Sequence, residues 1–308
     1  MKKLSDIRVQ IQQRHALTAH IDCWRLTPGE DSVLPAFSAG AHIEVQIAPG
    51  IRRAYSLCSD PAQRGFYEIA VKREEDGRGG SQALHQTARV GKDLWISPPR
   101  NAFGLADNAG SHLLVGAGIG LTPMIAMAHS LHGCKADFHL VARVRSRAEL
   151  PFADLLTQGP WRARVSLSFS SEGELQLPSQ PNHVYCCGPS GFMQAVRTRF
   201  AELPGVGWHQ EHFGGESVEV AASGYRLKLA LRNQEIEVAA GQRLIDALRS
   251  HGVACNTVCE QGVCGSCVVP WTDGEPRHLD ECLSNEERQT LLALCCAGCS
   301  STSLTLEL

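Results

Sequence analysis

The chain has little net charge and no apolar segment long enough to cross a membrane. Its formal net charge is −3 at pH 7, so charge gives no reason to expect a nucleic acid or an anionic membrane as a partner. The longest apolar run, 113–128, is interrupted by three glycines and a proline and is too short to span a bilayer. No apolar stretch follows the basic N-terminus, so we expect no signal peptide and a cytoplasmic location.

Composition and length indicate an ordinary globular protein of several domains. The chain has 308 residues, of which 43% are hydrophobic and 20% are charged, which suits two or three domains. It contains 13 cysteines, and without an export signal these are expected to be reduced thiols.

Four of the cysteines follow a spacing with a specific chemical meaning. The run Cys-Glu-Gln-Gly-Val-Cys-Gly-Ser-Cys and one later cysteine give C-x4-C-x2-C…C, the spacing of a plant-type [2Fe–2S] cluster. The glycines at 262 and 265 allow the backbone to fold closely around such a cluster. Zinc and plain buried thiols are the alternatives, although four-cysteine zinc sites more often use two C-x2-C pairs. The predicted metal ligands are Cys259, Cys264, Cys267 and Cys295.

Three segments differ in rhythm and predict a multidomain α/β and β protein. Residues 1–103 contain short alternating stretches separated by turns, which predict an antiparallel β-barrel or sandwich. Residues 104–215 alternate strands with helices, including an expected helix over 148–156, and predict a parallel α/β domain. Residues 216–308 begin with a linker and then offer two strands, a helix and the cysteine loop, which suit a β-grasp ferredoxin module.

Two glycine turns in the middle segment suit a nucleotide. The first lies between an apolar strand and a helix, where glycines allow the backbone to approach a pyrophosphate. A tight turn without a ligand remains the alternative for this turn alone. A second turn also follows a strand and opens a helix, and the two together define one crevice. The residues of the two turns are Gly116, Gly118, Gly120, Thr122 and Pro123, and then Cys187, Gly188 and Pro189.

Two short motifs in the first segment suit a flavin with a phosphate group. The first offers a cation, an aromatic ring and a hydroxyl just after a strand. The second offers backbone N–H groups, a hydroxyl and a guanidinium, which suit a phosphate monoester. Each is weak alone, because an arginine and a tyrosine at a strand end are more often surface packing, and a glycine pair is more often a simple turn. These residues are Arg53, Tyr55 and Ser56, and then Arg78, Gly79, Gly80 and Ser81.

Taken in order, these motifs resemble the phthalate dioxygenase reductase family over nearly the whole chain. The series runs from Arg-x-Tyr-Ser through the glycine turns, Cys-Gly-Pro and Glu-His-Phe to the cysteine loop. The resemblance implies a flavin barrel, an NAD domain and a plant-type ferredoxin domain, divided as 1–103, 104–215 and 216–308. It implies a reductase that passes electrons from NADH through FMN and the cluster to the terminal component of a Rieske-type oxygenase.

The resemblance also implies roles for individual residues. Tyr55 would lie against the flavin ribityl and ring, and Ser56 near its reactive edge. Val71 and Lys72 would lie on the strand beside the phosphate loop, and Phe213 would pack near the flavin. The segment from Cys187 to Pro189 would lie beside the nicotinamide. Cys295 is preferred as the fourth cluster ligand over the nearby Cys296 and Cys299.

Four points stay open at this level. FMN is favoured over FAD, because the loop suits a monophosphate and no adenine pocket is evident. NADH is favoured, but Arg145, Ser146 and Arg147 are compatible with a 2′-phosphate, so NADPH remains an alternative. The acceptor is an oxygenase or, as an alternative, a cytochrome P450 or other monooxygenase. The alternative that is not an enzyme is a non-catalytic iron–sulfur sensor or a zinc-binding module.

Overall fold

The structure is a computed structural model, and it describes residues 6–29, 33–48, 51–75, 79–107, 110–213, 223–257, 262, 265–280 and 282–308. The chain divides into two compact units, Met1–Phe213 and Gly214–Leu308. Across the described ranges, no helix combines the length and apolar character needed to span a membrane.

The first unit begins with a six-stranded antiparallel sheet and one helix. Its elements are β1 (Ile7–Ala16), β2 (Ile21–Pro28), β3 (His42–Ala48), β4 (Ile51–Ser56), β5 (Tyr67–Lys72), α1 (Gly80–Thr87) and β6 (Asp93–Ile96). The strand order is β4-β3-β6-β1-β2-β5. A further bridge joins Leu57 to Ile69, so the chain just after β4 meets β5 at the other edge of the sheet. The sheet therefore curves into the predicted barrel, whose interior contains alternate apolar residues of each strand.

A five-stranded parallel sheet follows in the same unit. Its elements are β7 (Ser111–Ala117), α2 (Leu121–Gly133), β8 (Asp137–Val144), α3 (Ala153–Gln158), β9 (Val165–Phe169), β10 (His183–Cys187), α4 (Ser190–Phe200) and β11 (Gly207–Glu211). The strand order β11-β10-β7-β8-β9 places β7 at the centre. Both glycine turns follow neighbouring strands, β7 and β10, so they lie at the same carboxyl edge.

The helix predicted over 148–156 is wrong as one continuous element. A short 3-10 turn covers Arg147–Glu149, and α3 begins only at Ala153. Between them, Phe152 has a φ of 59°, a left-handed conformation that a continuous α-helix excludes. Pro151 precedes it and disfavours the helical conformation of Leu150.

The barrel and the parallel sheet share one apolar core. Helix α2 is buried along most of its length. It packs in the same cluster as Leu114 and Leu140 of the parallel sheet and as Ile21 and Ala70 of the barrel. Because apolar contacts continue across the sequence break near residue 103, these two parts of the first unit are held in a defined arrangement.

The second unit contains a mixed five-stranded sheet and one helix. Its elements are β12 (Tyr225–Leu229), β13 (Gln234–Val238), α5 (Leu244–Ser250), β14 (Val268–Arg277), β15 (Leu291–Ala293) and β16 (Gly298–Leu306). The order is β13-β12-β16-β14-β15. Strand β12 pairs in parallel with β16, and the other pairs are antiparallel. With α5 packed into the core, this is the β-grasp arrangement that the sequence predicts.

Candidate functional site

Strand β4 presents the first flavin motif at its carboxyl end. Tyr55 lies opposite Ile43 and Ser56 opposite His42 in the pairing with β3. The Tyr55 hydroxyl is buried and has no hydrogen-bond partner among the described residues. Burial raises the pKa of Tyr55, and the positive charge of Arg53 opposes this in part. A buried hydroxyl that lacks a protein partner is what a bound flavin would be expected to satisfy.

The second flavin motif forms the start of α1, close to the first. Gly79 precedes the helix with a φ of 74°, which favours glycine. A Cβ on Gly80 would lie 2.8 Å from both Cγ and Nε of Arg53. Only glycine at this position therefore lets the Arg53 side chain lie across the first turn of α1. The N–H groups at the start of a helix have no partner within that helix, so this turn and the guanidinium suit a phosphate.

The remaining residues of this motif support α1 from the side. The Glu74 N–H donates to Ser81 Oγ over 3.0 Å. Val71 O lies 2.9 Å from Nε2 of His85, which fixes α1 against β5. Lys72 pairs with Glu74 at 2.8 Å on the surface. Arg78, which the sequence places in this loop, lies outside the described residues.

The first glycine turn joins β7 to α2 through a short 3-10 turn at Gly118–Gly120. Gly118 has a φ of 56° and nothing within 4 Å of where a Cβ would be. Backbone conformation, not lack of space, therefore favours glycine there. The Thr122 hydroxyl donates to Ile119 O over 2.9 Å, which closes the turn. Pro123 lies in the first turn of α2, where its missing N–H costs no helical bond.

The two glycine turns touch each other. A Cβ on Gly120 would lie 2.3 Å from Cys187 O, and a Cβ on Gly188 would lie 2.8 Å from the Cβ of Ala117. Gly116 lies directly opposite Cys187 in the parallel pairing, and Pro189 follows immediately before α4. The structure therefore brings the two predicted turns into one crevice at the carboxyl edge of the sheet.

Glu211 joins this crevice to the flavin motif. It ends β11 opposite Cys187, and the Ser56 hydroxyl donates to its Oε2 over 3.2 Å. Desolvation by burial raises the pKa of Glu211 to about 8, with the Ser56 hydrogen bond opposing the change. Burial, assisted by the charge of Glu211, likewise raises the pKa of the Cys187 thiol.

Phe213 follows two residues later and packs against the core that the barrel and the parallel sheet share. Sequence reasoning used the run Glu-His-Phe only for its phenylalanine and missed Glu211. The signal for Glu211 was its place two residues before Phe213, at the end of the last strand of the sheet.

In the second unit, the structure describes two of the four predicted cluster ligands. Cys267 and Cys295 are both buried, and Leu294 N–H donates to Cys267 O over 3.2 Å, which places their backbones side by side. The Gly262 N–H donates to Cys295 Sγ over 3.1 Å, the type of bond that supports a cluster sulfur. Cys259 and Cys264 lie outside the described residues.

The backbone conformation of the cysteine loop explains its two glycines. Gly262 and Gly265 have φ angles of 76° and 70°, which other residues rarely adopt. Arg243 Nη2 donates to Cys295 O over 2.8 Å and fixes the last predicted ligand from the other side. Buried thiols, a left-handed loop and an N–H aimed at sulfur fit an iron–sulfur cluster.

Comparisons with known proteins agree with this geometry. Residues 8–104 match a family described as an oxidoreductase FAD-binding domain, and residues 227–300 match a 2Fe-2S iron-sulfur cluster binding domain. Phthalate dioxygenase reductase of Burkholderia cepacia is 34% identical over 98% of this chain and 97% of its own. The chain belongs to the phthalate dioxygenase reductase family.

Solved structures extend the likeness to the fold. A phthalate dioxygenase reductase structure superposes with a TM-score of 0.77 at 33% identity and covers 98% of both chains. An intact type IV self-sufficient cytochrome P450 monooxygenase matches with a TM-score of 0.78 at 31% identity. That match covers 98% of this chain but 41% of the other.

Membership of the phthalate dioxygenase reductase family confirms the predicted architecture and chemistry. The protein is an NAD(P)H-dependent flavin and iron–sulfur oxidoreductase, and its three sheets correspond to the predicted barrel, α/β domain and ferredoxin module. The flavin bridges hydride donation by a nicotinamide and single-electron acceptance by a [2Fe–2S] cluster. The zinc-module interpretation is therefore set aside.

Proposed function

We propose that this chain is the reductase component of a two-component Rieske-type oxygenase, taking electrons from NADH through FMN and the [2Fe–2S] cluster to the oxygenase. The observation that carries the proposal is the Ser56–Glu211 hydrogen bond of 3.2 Å. It joins the flavin motif to the end of the strand beside Cys187, so a hydride donor in the crevice would lie next to the flavin edge. Phthalate dioxygenase reductase, similar over the full chain, supports an oxygenase as acceptor.

The protein's own part in the reaction is orientation. Gly116, Gly118 and Gly120, with Thr122 and Pro123, would hold the pyrophosphate of the nucleotide. Cys187, Gly188 and Pro189 would border the nicotinamide. Holding the nicotinamide and flavin rings in contact at this junction would lower the barrier to hydride transfer by several kcal/mol, on the order of 7–11 for ideal orientation. A carboxyl with a pKa of about 8 is mostly neutral at pH 7, so it would hold a proton beside Ser56 without placing a charge at the reacting atoms.

FMN is the proposed flavin, although the matching domain family is described by FAD. The support is the short loop at the start of α1, where Gly79, Gly80 and Ser81 form the helix N-terminus beside Arg53. That arrangement suits the two charges of a phosphate monoester. Acid extraction of the flavin and chromatography against both standards decides between FMN and FAD.

NADH is the proposed donor. The Arg147 guanidinium stacks over the Phe169 ring at 4.7 Å and lies 3.7 Å from a carboxylate oxygen of Glu172. Arg147 and Arg145 are both exposed. Because these contacts occupy the Arg147 guanidinium, Arg145 is the cation that would meet a 2′-phosphate. The comparison of kcat/KM for NADH and NADPH tests the choice, and a higher value for NADPH contradicts it.

The cluster ligands are proposed to be Cys259, Cys264, Cys267 and Cys295. Cys299 Sγ lies 3.2 Å from Ser301 O, and Cys296 Sγ lies 3.7 Å from Ala293 O. Both thiols can donate to backbone carbonyls, which supports Cys295 as the ligand. These thiolates require a reducing compartment, so we place the enzyme in the cytoplasm. The proposed domains remain 1–103, 104–215 and 216–308.

An anaerobic NADH titration followed by visible spectroscopy tests the whole proposal. Flavin bands and a broad cluster absorption should both bleach with NADH. Cys267→Ser should abolish reduction of cytochrome c while flavin reduction by NADH persists. Loss of flavin reduction in a folded Cys267→Ser protein that retains FMN would contradict the division of labour between the two units.

A cytochrome P450 acceptor is the second candidate. The support is the match to a self-sufficient P450 monooxygenase, in which a segment like this whole chain makes up 41% of the protein. Reconstitution with a purified Rieske-type oxygenase and with a P450 separates the candidates. Faster electron delivery to the P450 would replace the first proposal with the second.

A further inference from the structure

An ion pair between the buried Asp280 and the partly exposed Arg288 lies beside Gly262 of the cysteine loop in the second unit. The Asp280 side chain is 0% exposed and lies 3.5 Å from Arg288 Nη2. Its Oδ2 accepts the Leu283 N–H over 3.1 Å, and Arg288 Nη2 also donates to Asp280 O. His278 Nδ1 lies 3.5 Å from the other carboxylate oxygen. We name Asp280 and Arg288 the clasp.

The clasp contacts the loop at Gly262. A Cβ on Gly262 would lie 2.8 Å from Asp280 Cα, so the two backbones are in direct contact. The Cys282 N–H donates to Gly262 O over 3.1 Å. The N–H of the same Gly262 donates to Cys295 Sγ over 3.1 Å. These contacts connect Arg288, through Asp280 and Gly262, to the sulfur of a proposed ligand.

A buried ion pair is weak evidence for stability, because desolvation offsets most of its attraction. The position of the Asp280–Arg288 pair beside Gly262 gives it a role other than stabilisation. The positive end of an N–H dipole aimed at a ligand sulfur favours the reduced, more negative cluster and so raises its reduction potential. Any group that fixes Gly262 fixes this bond.

We propose that Asp280 and Arg288 are positioning residues that hold the Gly262 N–H against Cys295 Sγ and thereby set the reduction potential of the cluster. The inference rests on the proposed assignment of Cys295 as a ligand. It assigns the clasp to the second half of the reaction, electron transfer through the cluster, and not to hydride transfer.

When Asp280 is replaced, the lost charge and the lost N–H···S bond shift the reduction potential of the cluster in opposite directions. Removal of the Asp280 carboxylate alone takes a negative charge away from the cluster and raises its potential. Loss of the N–H···S bond lowers the potential. The double variant Asp280→Ala/Arg288→Ala removes one charge of each sign. A change in the cluster potential then reports a change in the position of the Gly262 N–H. The matched control is Arg226→Ala/Glu237→Ala, an exposed pair 3.4 Å apart on β12 and β13 of the same unit.

The experiment is an anaerobic redox titration of the full-length holoprotein monitored by EPR. The double clasp variant should show a more negative cluster potential and an altered EPR spectrum in its loaded fraction. The control pair should match wild type, and flavin reduction by NADH should be unchanged in both. A wild-type potential and spectrum in a loaded clasp variant would overturn the inference.

Further variants keep the test decisive. If the double variant does not load a cluster, Asp280→Ala is compared with Asp280→Asn, which removes the same charge but keeps an acceptor for the Leu283 N–H. A lower potential in Asp280→Ala than in Asp280→Asn supports positioning, and equal potentials overturn it. Cys295→Ser should lose the wild-type cluster spectrum. Retention of that spectrum would overturn the ligand assignment and this inference together, whereas an unaltered clasp variant beside a Cys295→Ser protein without the cluster overturns only the inference.

Discussion

Substitution of Glu211 by glutamine should make the stability of the first unit less sensitive to pH. The carboxyl lies at the junction of the flavin motif and the nucleotide crevice, and burial raises its pKa from 4.5 to about 8. In the unfolded chain the same group ionises near its ordinary value. Folding therefore takes up a proton between these two pH values.

The sign and size of the effect follow from that difference. Because the folded pKa is raised, the contribution to stability is fully present below pH 4.5 and is lost as the pH rises through about 8. Between pH 6 and pH 8 the wild type should lose about 2 kcal/mol relative to Glu211→Gln. Since Glu211 is only partly buried by surface area, this is an upper figure. It corresponds to roughly 4–8 °C in Tm for a unit of this size.

The assay is urea unfolding of the holoprotein at pH 6, 7 and 8, monitored by flavin fluorescence, which reports on the first unit. The free energy of unfolding of Glu211→Gln should fall less with pH than that of the wild type. Glu202→Gln, at an exposed position of the same unit, is the control and should follow the wild type. Parallel loss of stability in wild type and Glu211→Gln would refute the assigned burial of this carboxyl.

Three other outcomes are expected. Gly120→Ala places a Cβ 2.3 Å from Cys187 O, so it should destabilise the first unit by about 1–3 kcal/mol and raise the KM for NADH. The control Gly133→Ala, whose Cβ would have nothing within 4 Å, should do neither. Equal KM values for the two variants would contradict the shared crevice. Gly80→Ala should displace Arg53 and weaken flavin affinity by fluorescence titration, and unchanged affinity would remove the phosphate loop from the site. Chelation of the iron should abolish cytochrome c reduction without slowing flavin reduction, measured by stopped-flow, and parallel loss of both would contradict two separate steps.

The features predicted from the sequence are those made by residues close together along the chain. The three sheets follow one another in the order of the three segments that differ in rhythm. Both glycine turns follow their strands as expected. Their conformations depend on local backbone angles, such as the φ of 56° at Gly118. The helix over 148–156 failed at Phe152, because helical periodicity carries no information about a single left-handed residue.

Other features required the folded chain. Sequence reasoning interpreted Gly79 and Gly80 as part of a phosphate loop, with a simple turn as the alternative, and did not predict that Gly80 begins α1 against Arg53. Nothing local marks Asp280 as a buried neighbour of the cysteine loop, because strand pairing and the clasp bring it there.

The sequence alone therefore determined the family, the order of the modules and the presence of a flavin and a [2Fe–2S] cluster, since each depends on a short motif whose backbone conformation and donor atoms are set locally. The tertiary structure alone decided how the motifs meet. Glu211 and Ser56 are 155 residues apart in the chain and 3.2 Å apart in space. The shift in the pKa of Glu211 comes from the desolvation of its carboxyl. Desolvation and close contact between distant residues arise from packing around a shared core, which no local pattern encodes.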